Sequence, residues 1–302
     1  MGHFFRALNF IAYLQKINQF FILLLNEHQP SIKILRAKSI PFEIISLGDL
    51  ETGWEEKVIS RYQITVWLND RLDTHISHAE RVKSTGIKLV TFDDQGSGAN
   101  ISDLHFAPLF FDERKKLTGN KIYQDISYLI LNPEISKFKK RRYQQKKILV
   151  TMGGSDTYGV TIKVVKQLKK LGKSATILLG PSFEHIEELK KVITPSFNLI
   201  ESVSSLIKTF SLYDLAITGG GITPFEANAS GLPCIVVANE LFEIPAGHYL
   251  EKVGSSLYAG FHDNLDNELF TKSLDISKMS QIGFNYFTLQ GSENVYREIT
   301  SS

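Results

Sequence analysis

Two glycine turns and a set of acids and one histidine hold the residue types that could bind and activate a phosphate-bearing ligand. The first turn is Gly219, Gly220 and Gly221, after the apolar run Leu215 to Ile217 and before a helical pattern that opens with Thr223 and Pro224. Glycines at such a junction permit φ > 0 and leave backbone N–H groups uncovered, and a helix start adds its positive end, which suits a phosphate or diphosphate. Pro224 is tolerated in the first helical turn, and Gly231 with Pro233 ends the helix before the next apolar run, Cys234 to Val237. Glu226 lies one turn inside, where its carboxylate could accept hydrogen bonds from a ribose diol; the plainer reading is a tight turn with a solvated glutamate. The second turn is Gly153, Gly154, Ser155 and Asp156, directly after the apolar run Ile148 to Thr151. Two such turns in one half of the chain are expected to converge on one ligand.

Acids gather at strand ends in the other half. Asn69 and Asp70 follow an apolar run ending at Leu68, and Asp93 and Asp94 follow one ending at Phe92, at the carboxyl edge where open α/β sheets bind ligands. Asp70 and Asp73 read as turn and cap residues, while Asp93 and Asp94 read equally as turn residues or as site residues. His3 follows a glycine at a helix start, so its imidazole is expected to face a site at the sheet edge, where its pKa can be tuned for proton transfer. His28, His75, His78, His185 and His262 read as surface residues. His75 and His78 are spaced for one helix face but lack an obvious third ligand, so no metal site is expected.

The elements that must position these groups alternate. Phe4, Leu8, Ile11 and Ala12 share one face of an opening helix. Strands are expected at Phe20 to Leu25, Phe42 to Ile45, Ile64 to Leu68 and Lys88 to Phe92, with helices at Pro30 to Lys38, Glu51 to Ser60 and Thr74 to Ser84 between them. The polar, basic run from Asn132 to Lys147 reads as a solvated linker between two domains. A second series follows: strands at Ile148 to Thr151, Ala175 to Leu179 and Phe197 to Ile200, helices at Val160 to Leu171, Glu184 to Val192 and Ser204 to Phe210, then the glycine-rich stretch and closing helices from Phe284 to Thr300. Such alternation implies α/β architecture with parallel sheets, divided into a domain of residues 1–140 and one of residues 141–302.

Composition narrows the class. The 302 residues, 43% hydrophobic and 22% charged, can form two domains, and a net charge of +2 gives no reason to expect nucleic acid. The single cysteine, Cys234, rules out an intramolecular disulfide and fits a cytoplasmic setting. No apolar run is long enough for a membrane-spanning helix, and no signal peptide is visible.

Taken together, GGSD at Gly153 to Asp156, GGGITPFEANASGLP at Gly219 to Pro233 and GH-x-x-R at Gly2 to Arg6 resemble the GT-B nucleotide-sugar enzymes. Within that group the likeness is to the UDP-sugar hydrolase of pseudaminic acid biosynthesis and to predicted glycosyltransferases of spore-coat polysaccharide synthesis. VTFDDQG at Val90 to Gly96 and ISDLHFAP at Ile101 to Pro108 extend it over nearly the whole chain. The resemblance implies two Rossmann-like domains facing a cleft and a UDP-sugar substrate, with no metal or other cofactor. By motif, Gly220, Gly221, Ile222 and Thr223 would hold the diphosphate, Glu226 the ribose, and Val203 with Ser204 the base, with Gly154 and Ser155 also in the nucleotide-sugar site. His3, Arg6 and Asp94 would form the catalytic set. Relatives carry an apolar strand before the GH motif, so a sheet lacking its central strand is expected here. At Leu241 to His248 the lipid-linked N-acetylglucosaminyltransferases resembling this fold carry glutamine and asparagine near the sugar, where this chain has Glu243 and His248. Hydrolysis of a UDP-sugar in bacterial surface-carbohydrate synthesis is the first functional expectation. Glycosyl transfer is the second, and non-catalytic binding of a nucleotide sugar the third.

Overall fold

The computed structural model describes residues 2–112 and 116–301, Leu269 by its backbone alone. The chain divides into two compact units, His3–Ile130 with Gln290–Ser302, and Leu131–Leu289. The N-terminal unit runs α1 (Gly2–Lys16), β1 (Leu23–Leu25), α2 (Gln29–Ala37), β2 (Phe42–Ile44), α3 (Trp54–Tyr62), β3 (Val66–Asp70), α4 (Ile76–Ser84), β4 (Lys88–Phe92), β5 (Leu104–Phe106) and β6 (Lys121–Tyr123). Its strands all pair in parallel. Histidine side chains start two of the helices: His28 accepts from the Ser31 N–H, with Pro30 in the first turn, and His75 accepts from the Ser77 N–H. Each thereby satisfies one of the donors that a helix start leaves open.

The strands of this unit form two ladders, β1–β2 and β3–β4–β5–β6. Leu24 of β1 packs into the cluster around Trp67 of β3, so the two ladders share a core although no backbone bond joins them. Helix α1 covers both. Its Leu8 and Ile11 pack with Leu35 and Leu23, while Phe10 packs with Val90 and Phe106. Among the described residues no strand bridges β1 and β3. β5 and β6, three residues each, were not anticipated.

The C-terminal unit contains α5 (Ile135–Phe138), β7 (Ile148–Thr151), α6 (Val160–Lys170), β8 (Ala175–Leu178), α7 (Ile186–Val192), β9 (Phe197–Ile200), α8 (Leu206–Phe210), β10 (Leu215–Gly219), α9 (Thr223–Ala229), β11 (Cys234–Ala238), α10 (Ile244–Val253), β12 (Ser256–Phe261), β13 (Asn264–Leu265) and α11 (Ile276–Tyr286). The last helix, α12 (Gly291–Ser301), belongs with the N-terminal unit, where Val295 and Ile299 join the cluster of Phe92 and Phe106. The sheet has the order β13-β12-β11-β10-β7-β8-β9, parallel except for β13. Strands β7, β10 and β11 are buried along their whole length, which is why they read as unbroken apolar runs rather than alternating ones.

The run from Asn132 to Lys147 is more than a solvated linker. Arg142 is buried, and its guanidinium donates to the carbonyl oxygens of Lys140, Phe210, Tyr213 and Ser230. Phe210 ends α8 and Ser230 caps α9, so Arg142 satisfies carbonyls that two helix ends leave without partners. Burial lowers the Arg142 pKa to about 10, against the opposing charge of Asp214. No helix among the described residues is long and apolar enough to cross a membrane.

Candidate functional site

In the C-terminal sheet the strand order reverses between β7 and β10. β7 leads on to β8 and β9 on one side, and β10 to β11 and β12 on the other. Loops leaving such a pair diverge, and the crevice outside their carboxyl ends is where open parallel sheets take ligands. Both glycine turns lie there. A Cβ built on Gly153 would stand 3.8 Å from Thr223 Oγ1, so the two turns are neighbours.

The glycines serve closeness more than conformation. Gly153 has φ 84°, whereas Gly219, Gly220 and Gly221 do not use the left-handed region that glycine permits. A Cβ on Gly219 would come within 2.7 Å of Asn239 Nδ2, and one on Gly220 within 2.7 Å of Glu243 Cβ. A Cβ on Gly180, just past β8, would overlap the carbonyl oxygens of Gly153 and Gly154. The Ser182 N–H donates to the Gly154 oxygen at 2.9 Å, which fixes the second turn from that side.

The chain's own carboxylates already occupy part of both turns. Asp156, in the left-handed region at φ 50°, accepts from the Val160 and Thr161 N–H groups at 2.7 and 2.9 Å and so caps α6. Burial raises the Asp156 carboxyl, and these two donors offset that rise only in part. Glu243 Oε2 accepts from the Gly220 N–H at 3.2 Å, the Asn239 N–H at 2.7 Å and the Glu240 N–H at 3.4 Å. The expectation of uncovered donors therefore fails at Gly220 and at the start of α6. It holds at Gly221 and Ile222, whose N–H groups have no partner among the described residues.

The remaining predicted residues of this unit fall as follows. Ser155 is exposed, its hydroxyl 3.5 Å from Thr157 Oγ1. Glu226 is buried rather than solvated, and its Oε1 accepts from the Asn132 N–H at 3.2 Å. Val203 and Ser204 stand exposed in the loop between β9 and α8. Cys234 is buried, and burial pushes its thiol up to about 12 despite hydrogen bonds from neighbours that include Asn228, which leaves it unreactive.

In the N-terminal unit α1 brings His3 and Arg6 onto one face, and the parallel register sets Asp70 opposite Phe92, so Asp70 and Asp93 stand side by side at adjacent strand ends. His3 Nδ1 lies 2.6 Å from Asp70 Oδ1, Arg6 Nε donates to Asp70 Oδ2 at 2.8 Å, and the Arg6 guanidinium also donates to Asp70 Oδ1 and to Asp93. Arg6 is buried, while the His3 side chain is 36% exposed. Burial alone would raise the Asp70 carboxyl; the Arg6 charge and the hydrogen bonds from Arg6 and His3 outweigh it and hold the pKa below the ordinary value. Burial likewise pulls on Arg6, but the two carboxylates prevail and raise it.

Asp94 does not belong to this set. It is buried, and its Oδ1 accepts from the Thr74 N–H at 3.0 Å and the Gly96 N–H at 2.9 Å, bracing the turn before α4. Asp70, read from sequence as a turn residue, is the carboxylate that meets His3. The signal was present in the repetition, one aspartate at the end of each of two successive parallel strands. His78 also departs from its surface assignment: it is buried between Trp54 and Trp67, its Nδ1 2.9 Å from Glu55 Oε1, and burial lowers its pKa. Among the described residues no three His, Cys, Asp or Glu side chains cluster as metal ligands.

No family model matches the chain. It is similar to the uncharacterized protein MJ1062 of Methanocaldococcus jannaschii, 26% identical over 281 residues, covering 85% of this chain and 57% of that protein. It is also similar to the spore coat polysaccharide biosynthesis protein SpsG of Bacillus subtilis, 26% identical over 243 residues, covering 76% of this chain and 70% of SpsG. This chain thus spans a little over half the length of MJ1062. Acinetobacter baumannii MurG superposes over 100% of this chain and 96% of its own with a TM-score of 0.70 at 14% identity. The fold is GT-B. The S. aureus MnaA–UDP co-structure, covering 99% and 93% of the two chains, gives 0.65 at 14% identity. The spinosyn rhamnosyltransferase SpnG, covering 100% and 94%, gives 0.61 at 14% identity. In GT-B terms the reversal between β7 and β10 lies in the C-terminal Rossmann-like unit, and the His3–Asp70–Arg6–Asp93 set in the N-terminal one.

Proposed function

We propose that the protein is a glycosyltransferase that takes a nucleoside-diphosphate sugar, a UDP-sugar first among them, and transfers its glycosyl group in surface-polysaccharide synthesis. The observation that carries this reading is the pair of open backbone donors, Gly221 and Ile222, at the switch point of the C-terminal sheet. MnaA, similar in fold, is a UDP co-structure, and SpsG is a polysaccharide biosynthesis protein, which supports both the ligand class and the setting. In transfer, the anomeric C–O bond breaks and its electron pair leaves with the diphosphate. Backbone N–H groups at Gly221 and Ile222, with the Thr223 hydroxyl, take up that growing charge. His3 supplies the base. With Nδ1–H donated to Asp70, Nε2 keeps its lone pair and accepts the proton of the acceptor hydroxyl; the carboxylate then stabilises the imidazolium. Arg6 holds Asp70 ionised and in place, bonds Asp93 on its other side, and so positions His3 from behind.

Transfer is proposed ahead of hydrolysis, the first expectation from sequence; the likeness in fold to a rhamnosyltransferase and the likeness to SpsG, a polysaccharide biosynthesis protein, support that order. Incubation with a panel of UDP- and dTDP-sugars, with and without glycan acceptors, tests the choice. Nucleotide release that requires an acceptor is the expected result. Equal release of nucleotide and free sugar without acceptor would restore hydrolysis, and the absence of any turnover would leave a binding protein.

A further inference from the structure

We propose that Glu243 is a built-in competitor for the anion site, a carboxylate that a nucleoside diphosphate must displace from the Gly220 N–H, and that it thereby sets how tightly that ligand binds. The inference rests on the nucleotide-sugar reading above and adds to it a residue with a specific, reversible role. Three backbone donors from the ends of two neighbouring strands, Gly220 after β10 and Asn239 and Glu240 after β11, point at the single oxygen Oε2. That is the arrangement an anion takes when it fills a backbone nest. The next two donors along the turn, Gly221 and Ile222, are open, so the nest is filled in part by the protein and free in part. Oε1 lies 3.4 Å from where a Gly221 Cβ would stand, so a phosphate on the open donors would share the space with a carboxylate.

Among the described residues no cation pairs with that charge. The charged or titratable neighbours of Glu243 are Glu240, in the same short turn, and Tyr258 of β12. Burial raises its carboxyl despite the three donors. Like charges in a partly buried site repel strongly, so ligand and Glu243 cannot both keep their present positions without cost. The Glu243 side chain can yield without its segment moving. The 3-10 turn Leu241–Glu243 leads directly into α10 and is closed by a reciprocal capping pair of Glu240 and Glu243, while Leu241 and Phe242 are exposed at 70% and 50%, so a change of the Glu243 rotamer gives up these hydrogen bonds but little packing.

Calorimetric titration of the wild type, Glu243→Gln and Glu243→Ala with UDP and with uridine tests the idea. Gln keeps the chain length and an accepting oxygen but removes the charge; Ala frees the Gly220 donor outright. UDP should bind both variants more tightly, on the order of 10-fold for Glu243→Gln, while uridine, lacking phosphate, should bind all three alike. Wild-type binding of UDP with equal or weaker binding by Glu243→Gln would overturn the inference alone and make Glu243 a brace of the turn. If Ala weakens binding because the turn collapses, the Gln variant still decides. Failure of all three proteins to bind UDP would overturn the nucleotide site itself, and this role with it.

Discussion

At the scale of residues the N-terminal set makes the sharpest demands. His3 has one nitrogen committed to Asp70 and a side chain open enough to meet a substrate, so His3→Asn should cost on the order of 100-fold in turnover while leaving the Kd for UDP unchanged. Steady-state rates beside a binding titration check this, and loss of UDP affinity would show a structural role instead. Asp70→Asn removes the orienting charge and leaves the buried Arg6 with Asp93 alone, which should cost about 3 kcal/mol of stability at neutral pH. The sign of its pH dependence follows from the direction of the shift. A carboxyl held below its ordinary value stabilises the fold above about pH 4, and that contribution is lost as the pH falls through the native pKa. Melting temperatures of wild type and variant should therefore differ most at neutral pH and converge in acid; a gap that widens in acid would contradict the assignment.

Among the elements, the glycine turns show how a motif can be right in position and incomplete in mechanism. Gly219 and Gly220 are small because Asn239 and Glu243 pass close to them, and Gly180 because the backbone of Gly153 and Gly154 passes over it. Gly180→Ala meets carbonyl oxygens rather than a movable side chain, so the Gly153 turn must shift. A loss of about 1–3 kcal/mol is expected, with weakened UDP binding, measurable by thermal melting and titration. An unchanged turn and affinity would show that β8 adjusts without cost. The two-strand ladder β1–β2 lacks the backbone bonds to β3 that a continuous sheet would provide, although Leu24 shares the Trp67 core. Its amides should exchange with solvent before those of β3 and β4 in a hydrogen-exchange time course, since few ladder bonds hold them. Equal protection across the break would refute that order.

For the molecule as a whole, binding and stability are linked. A ligand at a hundred times its Kd adds about 2.7 kcal/mol to the state that binds it, and for a UDP-sugar that gain should appear in Leu131–Leu289, the unit that holds both glycine turns. Unfolding followed separately in the two units checks the assignment; protection confined to His3–Ile130 would move the nucleotide site. Much of this organisation could be read directly from the sequence. Strands β4, β7 and β9 were legible to the residue, β7 because burial on both faces demands a nearly unbroken apolar run, and the two series of alternating elements implied parallel sheets. The positions of both glycine turns at strand ends were equally clear.

What the sequence could not determine is which polar groups meet. Asp70 and Asp94 look alike in the chain, each an aspartate after an apolar run, yet the parallel register of β3 and β4 carries Asp70 to Arg6 while the turn at Gly96 claims Asp94. Arg142 sits in a run of charges, and only the packing of α8 and α9 reveals that it caps their ends from inside. Glu243 is distant in sequence from the donor it covers at Gly220, and their meeting depends on β10 and β11 lying side by side. Sequence periodicity reports which faces are apolar, since that follows from local geometry and solvent. The pairing of a carboxylate with its donor depends on the order of strands in the sheet, which arises only when distant segments pack.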